Sequence, residues 1–427
     1  MLTLFLCFFD IKKTYLLIED TARDSVRMME IWQKKELTLI GPPASLGQRS
    51  EREFYLGSLS YYLGIGGLVM TGFEVWGTIV GQVLIFVSSL PVFYLLLGKE
   101  LKVKEPLLGV LIYALSPLVI THMRFYWNPN AIIGLSTWFW YLIFRPTLKL
   151  RNGSFFWAGV VAGLIFNLHY MAVIPLVIWG LLSLEFWGGM VLGTAPIWIF
   201  ELRNEFFLSK TFWFNLTHRV GGQIDWRWFF DGLTRFPFAV LGIRPMEIGY
   251  QTFLGGNWQR VFGMVILGLL IWVGLKLKDR QKKLFWLALV SAGVVGLISG
   301  GEYYGRYLLG LYPIFVWILI LVLEKFGRVG FGMVLILMLM TNLKILRSRP
   351  TSYVLIETLE RASQLIKEDG PAGRYNLSEN IYGDAQARGL RYFAWRNVAN
   401  KPEDEVSYGW LLALYVLSPS LEKIKQD

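Results

Sequence analysis

Apolar runs of near-spanning length alternate with short polar connections along most of the chain. A helix that crosses a bilayer needs roughly 17–25 mostly apolar residues, and ten runs approach that length. They lie near 76–97, 105–121, 131–146, 154–167, 171–185, 187–202, 260–276, 284–300, 307–323 and 329–341. The pattern predicts an all-α polytopic membrane protein with about ten or eleven transmembrane helices.

The basic residues of the connections indicate the orientation of these helices. They form four clusters: Lys99, Lys102 and Lys104; Arg145, Lys149 and Arg151; Lys276, Lys278, Arg280, Lys282 and Lys283; and Lys325 with Arg328. When the spans are counted, all four clusters fall on one side, which the positive-inside rule makes cytoplasmic. We therefore expect a multi-pass protein of the plasma (inner) membrane, with its more varied polar connections on the extracytoplasmic face.

Three further segments complete the predicted organisation. Residues 53–71 are apolar, but a span there would conflict with the face expected for the N-terminal loop relative to the four basic clusters. We therefore predict a helix in the outer interface. Residues 1–9 are too short to span, and we expect that most of a first span is missing. The prediction is a transmembrane domain at 1–341, with an extracytoplasmic loop at 10–75. A small extracytoplasmic α/β domain follows at 342–427.

Composition supports the membrane and excludes several other classes. Hydrophobic residues make up 54% of the chain and charged residues 17%, against about 25% charged in soluble domains. The net charge of +11 lies in short clusters rather than in one binding stripe, so no nucleic-acid partner is expected. The single cysteine, Cys7, excludes an intrachain disulfide. Because no metal-site motif is present, no metal ligands are predicted, and a divalent metal requirement stays open.

Charged side chains with helical spacing follow the first apolar residues. They share one predicted helix face at i, i+3, i+4 and i+7, and they are Asp20, Arg23, Asp24 and Arg27. Met28, Ile31 and Trp32 lie on another face, which we expect to rest on lipid. One interpretation is structural, with Asp20 as a cap and the charges paired. The other is a carboxylate base beside an arginine that grips a phosphate with two hydrogen bonds.

Polar residues at other connections are weaker candidates. Asn128 and Asn130 either cap the next helix or bind substrate. His169 and Tyr170 either form interhelical hydrogen bonds or enter the site. Arg306 either extends to the lipid headgroups or binds a lipid phosphate.

Six short motifs occur in an order typical of one family: DTARD, LTLIGPPASLG, FYLGSLSYYL, RFYWNPN, NLHY and FELRNEF. In this order they resemble the bacterial membrane glycosyltransferases of the GT-C class. These are relatives of protein O-mannosyltransferases and of the aminoarabinose transferase that modifies lipid A. The resemblance covers roughly residues 10–325. It implies a GT-C-like fold with juxtamembrane helices beside the spans.

The resemblance also implies a reaction. Such enzymes pass a sugar from a polyprenyl-phosphate carrier to an acceptor glycan, lipid or protein on the outer face, by an inverting displacement. The motif match places the catalytic aspartate on Asp20 and the phosphate-binding arginine on Arg23. The family usually has an Asp-Glu pair here, whereas Thr21 follows Asp20 in this chain. Asp24 is therefore expected to share the catalytic role.

The remaining predicted site residues complete this interpretation. Arg306 and Arg124 are predicted to bind the donor phosphate. The predicted substrate-binding residues are Tyr55, Asn128, Asn130, His169, Tyr170, Glu201 and Tyr304. Beyond the lipid-linked donor, no cofactor is predicted, and membrane lipids are expected partners. The alternative function is a non-catalytic flippase, transporter or scaffold for lipid-linked glycans.

Overall fold

The structure is a computed structural model, and helices account for most of the part that it describes. The described residues are 1–17, 19–44, 54–145, 151–181, 183–217, 229, 265, 268–269, 271–298, 305–347, 356–369, 375–379, 388–398, 413–417 and 424–426. The statements below concern these ranges.

The N-terminal elements form the surroundings of helix α3. They are α1 (Leu2–Phe8), α2 (Ile11–Thr14), α3 (Glu19–Lys34), β1 (Ile40–Pro43), β2 (Tyr55–Gly57) and α4 (Leu59–Met70). Helix α3 ends where Lys35 adopts a left-handed conformation, with φ of 56°. Strands β1 and β2 pair antiparallel. Their approach requires glycine, because a Cβ on Gly41 would lie 2.1 Å from the Gly57 carbonyl oxygen.

Seventeen further elements follow in the described part of the chain. The helices are α5 (Val75–Glu100), α6 (Pro106–Leu115), α7 (Pro117–Met123), α8 (Ile132–Phe144), α9 (Arg151–Leu168), α10 (Tyr170–Val177), α11 (Leu184–Gly193), α12 (Ala195–Arg203), α13 (Phe207–Thr217), α14 (Asp279–Ile298), α15 (Arg306–Leu323), α16 (Gly327–Arg347), α17 (Ile356–Asp369) and α18 (Arg388–Asn397). Strands β3 (Tyr375–Glu379), β4 (Ala413–Leu417) and β5 (Ile424–Gln426) form one sheet, in which β3 and β4 are parallel and β4 and β5 antiparallel.

The predicted spans are matched to different degrees. In the described part, α5, α15 and α16 are long and apolar enough to cross a membrane, and α6 with α7 gives a fourth candidate with a 46° bend. The predicted spans at 131–146 and 154–167 coincide with shorter apolar helices. Those at 171–185 and 187–202 coincide with the short helices α10, α11 and α12. The chain is thus a multi-pass helical membrane protein, and ten full spans stay a prediction.

The core lies where these helices meet. Tyr113 is fully buried; its ring stacks on Phe93 at 4.4 Å, and its hydroxyl contacts Thr137 at 2.6 Å. Trp140 donates a hydrogen bond to the Gly310 carbonyl at 2.8 Å, which joins α8 to α15. Buried hydroxyl and indole groups with partners avoid the penalty of unpaired polar atoms in an apolar interior. This core fixes the loops at the helix ends, where the candidate site lies.

Helix α3 is covered by protein rather than by lipid on its apolar face. Met28 is 0% exposed, and Ile31 is also buried. Helices α4 and α18 pack against α3, and Gly64 of α4 leaves room for the Met28 side chain. The expectation that Met28, Ile31 and Trp32 rest on lipid is therefore wrong for the first two. Trp32 is 37% exposed and lies beside Phe73.

The C-terminal tail contains both helices and strands, and it returns to the N-terminal elements. The Tyr392 hydroxyl of α18 donates to the Phe73 carbonyl at 2.8 Å, and Arg396 pairs with Glu74 at 2.8 Å. These contacts hold α18 against the segment before α5. A separate α/β domain at 342–427 stays a prediction.

Candidate functional site on helix α3

One arginine joins two carboxylates in the N-terminal half of α3. The Arg23 Nη1 atom lies 2.8 Å from Asp20 Oδ1, while its Nε and Nη2 atoms lie 2.9 and 2.8 Å from Asp24 Oδ1. The helix repeat places residues three and four apart on one side, so this grouping is local in origin. Arg27 is not part of it, because its guanidinium pairs with Glu30 at 2.7 Å. We call Asp20, Arg23 and Asp24 the α3 triad.

The two carboxylates of the triad have different access to solvent. The Asp20 side chain is 48% exposed, and that of Asp24 is 1% exposed. Arg23, at 24%, lies between them. Only Asp20 can therefore meet an incoming hydroxyl group without rearrangement. Asp24 lies behind Arg23 and acts on it from the protein interior.

Burial has the largest influence on the pKa of Asp24. It raises the pKa of this carboxyl to about 7, although the positive charge of Arg23 opposes the shift. Its Oδ2 atom is buried and accepts no hydrogen bond from a described residue. For Arg23, burial alone would lower the pKa, but the carboxylates of Asp24 and Asp20 outweigh it and raise the pKa. The guanidinium thus stays charged, while Asp24 titrates near neutral pH.

Contacts with other segments fix the triad in place. The Thr21 hydroxyl donates to the Tyr126 carbonyl at 2.9 Å, which ties the first turn of α3 to the loop after α7. The Ser25 hydroxyl donates to the Thr21 carbonyl at 2.7 Å. From the tail, the positive charge of Arg388 at the start of α18 favours the ionised form of Asp24. No local pattern predicts the tail's contribution, since it depends on a contact between distant parts of the chain.

A second group of predicted residues meets beside this loop. His169 stacks on Tyr170 with ring centroids 5.3 Å apart and lies 5.0 Å from the Tyr307 ring. The Arg306 guanidinium lies 4.8 Å from the centre of the Trp127 ring, a cation–π arrangement. Because Trp127 follows Tyr126, the loop connects this group to the α3 triad. The structure therefore brings His169, Tyr170 and Arg306 together.

Within this group His169 is neutral. Burial, and then the positive charge of Arg306, lower its pKa well below the usual value. Its Nδ1 atom is buried without a hydrogen-bond partner among the described residues. Tyr307 and Trp127 are not among the predicted site residues, although Trp127 lies inside the RFYWNPN motif. Aromatic residues are so frequent in this chain that only contacts with Arg306 and His169 distinguish these two.

Arg124 is bound to the N-terminal segment of the chain. It is 6% exposed and donates to the carbonyls of Leu6, at 2.7 Å, and Phe9, at 3.0 Å, and to the Thr14 hydroxyl. It thereby satisfies carbonyl groups left unpaired at the end of α1. These acceptors engage the guanidinium, which favours a structural role, and the phosphate-binding role of Arg124 stays a prediction.

The two asparagines of the same loop also serve the backbone. Asn130 is fully buried; its Oδ1 accepts from His122 Nδ1 at 2.7 Å, and its Nδ2 donates to the His122 and Phe125 carbonyls at 2.7 and 2.9 Å. Asn128 donates to the Leu168 carbonyl at 2.7 Å. These contacts fit the alternative in which the Asn-Pro-Asn turn is structural, and the substrate-binding roles of both residues stay predictions.

Glu201 likewise has a structural partner. Its carboxylate accepts from the backbone N–H groups of Leu208 at 2.7 Å and Ser209 at 2.9 Å, and from the Ser209 hydroxyl. These N–H groups belong to the first turn of α13, so Glu201 caps that helix. This capping contact engages both carboxylate oxygens, and the substrate-binding role of Glu201 stays a prediction.

Two other predicted substrate-binding residues have simpler outcomes. Tyr55 is half-buried in β2 and packs against the small cluster around Phe54, and its substrate-binding role stays a prediction. Tyr304 lies outside the described residues. In the ranges that the structure describes, no three His, Cys, Asp or Glu side chains are grouped as metal ligands.

Comparison with known proteins adds two structures. No family model matches the chain, and no curated protein sequence matches it. A crystal structure of ArnT from Cupriavidus metallidurans bound to undecaprenyl phosphate is similar, with 12% identity, 91% of this chain and 83% of that chain covered, and a TM-score of 0.49. The apo structure of the same protein gives 12% identity, coverage of 96% and 86%, and a TM-score of 0.46.

Proposed function

We propose that this chain is a membrane glycosyltransferase that moves a sugar from a polyprenyl-phosphate carrier to an acceptor hydroxyl on the extracytoplasmic face. The observation that carries the proposal is the α3 triad, in which a half-exposed carboxylate adjoins an arginine anchored by a buried carboxylate. The six motifs that resemble GT-C enzymes support the same class. The triad supplies a base and a phosphate-binding cation side by side, as sugar transfer from a phosphodiester requires.

The reaction is a single inverting displacement. The Asp20 carboxylate takes the proton of the acceptor hydroxyl while that oxygen forms a bond to C1 of the sugar. The bond between C1 and the phosphate oxygen breaks, and the electron pair leaves with the polyprenyl phosphate. Arg23, together with Arg306, stabilises the negative charge that builds on this phosphate.

Arg23 has enough N–H donors to bind both carboxylates and a phosphate oxygen at the same time. A guanidinium carries five N–H groups, and the contacts to Asp20 and Asp24 use one on each nitrogen. Two N–H groups therefore remain for a phosphate oxygen. In this proposal Asp24 is a positioning residue, because its 1% exposed side chain fixes Arg23 without reaching the acceptor.

The direct test is product formation by the full-length protein. The purified protein in lipid nanodiscs is incubated with a panel of polyprenyl-phosphate sugars and membrane acceptors, and products are identified by mass spectrometry. We expect one donor to be consumed, with inversion at C1 visible by NMR. If no donor is consumed while the protein moves a fluorescent lipid-linked sugar across vesicles, the flippase alternative replaces the proposal.

The face of the membrane is tested separately. Cysteines placed at Lys35, beyond the end of α3, and at Lys102, in a basic cluster, are exposed to an impermeant thiol reagent in intact cells. Labelling is expected at position 35 and absent at position 102. The reverse pattern would move the triad to the cytoplasmic side and overturn the proposed face.

A further inference from the structure

A groove of about 850 Å³ lies away from the α3 triad, between the N-terminal helices and the tail. Its apolar wall is formed by Phe8, Ile11, Met70, Trp76 and Val80. Its polar rim consists of Asp10, Lys12, Lys13, Thr71, Glu74 and Glu360. The volume falls within the range of small-molecule sites, about 300–1,000 Å³. No triad residue lines it, so its occupant is independent of the proposed reaction.

Two charged side chains on the rim, Lys13 and Asp10, form no ion pair with a described residue, although the positive charge of Arg124 attracts Asp10. Glu74 and Glu360 share Arg396, at 2.8 and 3.4 Å, and Lys12 adds a looser contact to Glu74 at 3.8 Å. Lys13 and Asp10 are both exposed, and neither pairs with a described residue. They also do not pair with each other, although they are three residues apart. The groove therefore offers one available cation and one available carboxylate.

The apolar wall continues into surface that suits lipid chains. Phe9 is 44% exposed, Met70 69%, and Leu84, one turn beyond Val80, 52%. Exposed apolar side chains on adjoining helices of a multi-pass protein face the hydrocarbon. Aromatic residues and lysines beside such a surface mark the membrane–water boundary, and here these are Trp76, Lys12 and Lys13. The polar rim thus lies at the level of lipid headgroups.

We propose that this groove binds a zwitterionic aminophospholipid. Its phosphate would pair with Lys13, assisted by Lys12, its primary ammonium with Asp10, and one acyl chain would follow the apolar wall. An anionic lipid with a glycerol headgroup matches the lysines but brings no cation to Asp10, and Arg124 is already bound to the carbonyls of Leu6 and Phe9. The separated pair of opposite charges therefore favours a headgroup that carries both charges.

The test measures lipid binding to the full-length protein by native mass spectrometry in detergent. Delipidated protein is titrated with phosphatidylethanolamine, phosphatidylglycerol, phosphatidylcholine or inorganic phosphate. We expect phosphatidylethanolamine to bind most tightly. Lys13→Gln and Asp10→Asn should each weaken it about fivefold, since one interfacial charge contributes that much. Asn suits position 10, where φ is 48°, because it tolerates left-handed backbone.

Matched controls separate the groove from general surface charge. Lys34→Gln and Glu36→Gln remove a similar pair outside the groove, and neither should change phosphatidylethanolamine binding. Met70→Glu should weaken lipid binding, whereas Val69→Glu, on an exposed neighbour that does not line the groove, should not. The proposal fails if phosphatidylglycerol binds as well as phosphatidylethanolamine and Asp10→Asn has no effect. It also fails if phosphatidylcholine binds as tightly, or if millimolar inorganic phosphate displaces the lipid.

Discussion

Helix α3 and the loop between α7 and α8 both carry an arginine and short polar side chains, and they meet where the Thr21 hydroxyl donates to the Tyr126 carbonyl at 2.9 Å. In α3 the polar side chains bind one another, and Asp20 stays 48% exposed. In the loop, Arg124 and Asn130 are buried, and both side chains donate hydrogen bonds to backbone carbonyls. The partner of a polar group, rather than its residue type, thus separates a candidate reactive site from scaffold. The following variants test that distinction.

The largest expected effect is the loss of the proposed base. Asp20→Asn keeps the shape and capping capacity of the side chain but cannot accept a proton. Turnover should fall by roughly 10²–10⁴-fold, the usual contribution of general base catalysis, while insertion and thermal unfolding stay close to those of the parent. Initial rates on the identified donor, with unfolding curves of both proteins, provide the measurement.

Asp24→Asn is the matched control for that variant. It shares the helix face, but its side chain is buried, so turnover should fall much less than for Asp20→Asn. A large loss for Asp24→Asn with none for Asp20→Asn would move the base to Asp24. Full turnover in both would exclude the triad as the reactive site.

A substitution in the loop between α7 and α8 should lower the stability of the protein rather than its turnover. Asn130→Ala leaves His122 Nδ1 without its partner, while the His122 and Phe125 carbonyls keep the Gln82 side-chain amide at 3.1 and 2.9 Å. One buried group left unpaired costs about 1–3 kcal/mol, so the unfolding temperature should drop. Turnover per folded molecule should change little. A normal unfolding temperature with a specific loss of turnover would transfer this residue to the reactive site.

A smaller effect is expected from Arg23, which is proposed to bind the phosphate of the donor. Arg23→Lys keeps the charge but loses the planar fork that serves two carboxylates and a phosphate together. The KM for the donor should rise roughly tenfold, because about one hydrogen bond between charged groups is lost. The change in kcat should be smaller. Arg27→Lys, whose parent side chain pairs with Glu30, is the control and should leave the donor KM unchanged. An unchanged KM in Arg23→Lys would remove Arg23 from donor binding.

The smallest effect is a pH dependence from Asp24. Because burial raises its pKa to about 7, the folded protein holds this proton below pH 7 and releases it above. The triad then changes from no net charge to one negative charge, so the donor KM should rise several-fold as the pH increases through 7. Asp24→Asn should remove this inflection. An inflection of the same size in the variant would assign it to another group.

The raised pKa of Asp24 also makes the free energy of unfolding depend on pH. The folded-state pKa lies above the ordinary value of 3.8, so the folded state binds more protons between pH 4 and 7. The contribution of Asp24 to the free energy of unfolding is therefore full below about pH 4 and is lost as the pH rises through 7.

Local sequence pattern determined the parts of this protein that depend on neighbours along the chain. Helical periodicity placed Asp20, Arg23 and Asp24 on one face, since residues three and four apart must meet in any helix. Apolar runs predicted α5, α15 and α16 as span-like helices, because hydrocarbon selects length and composition without reference to contacts.

Only the tertiary structure decided which of these residues are accessible and which are engaged. Asp24 is buried because α3 is packed by α4 and α18, the latter from the far end of the chain. Arg124 binds carbonyls more than a hundred residues away, and Glu201 is engaged by the start of the following helix. Burial and hydrogen-bond partners arise from long-range packing, so no local spacing distinguishes a half-exposed Asp20 from a buried Asp24.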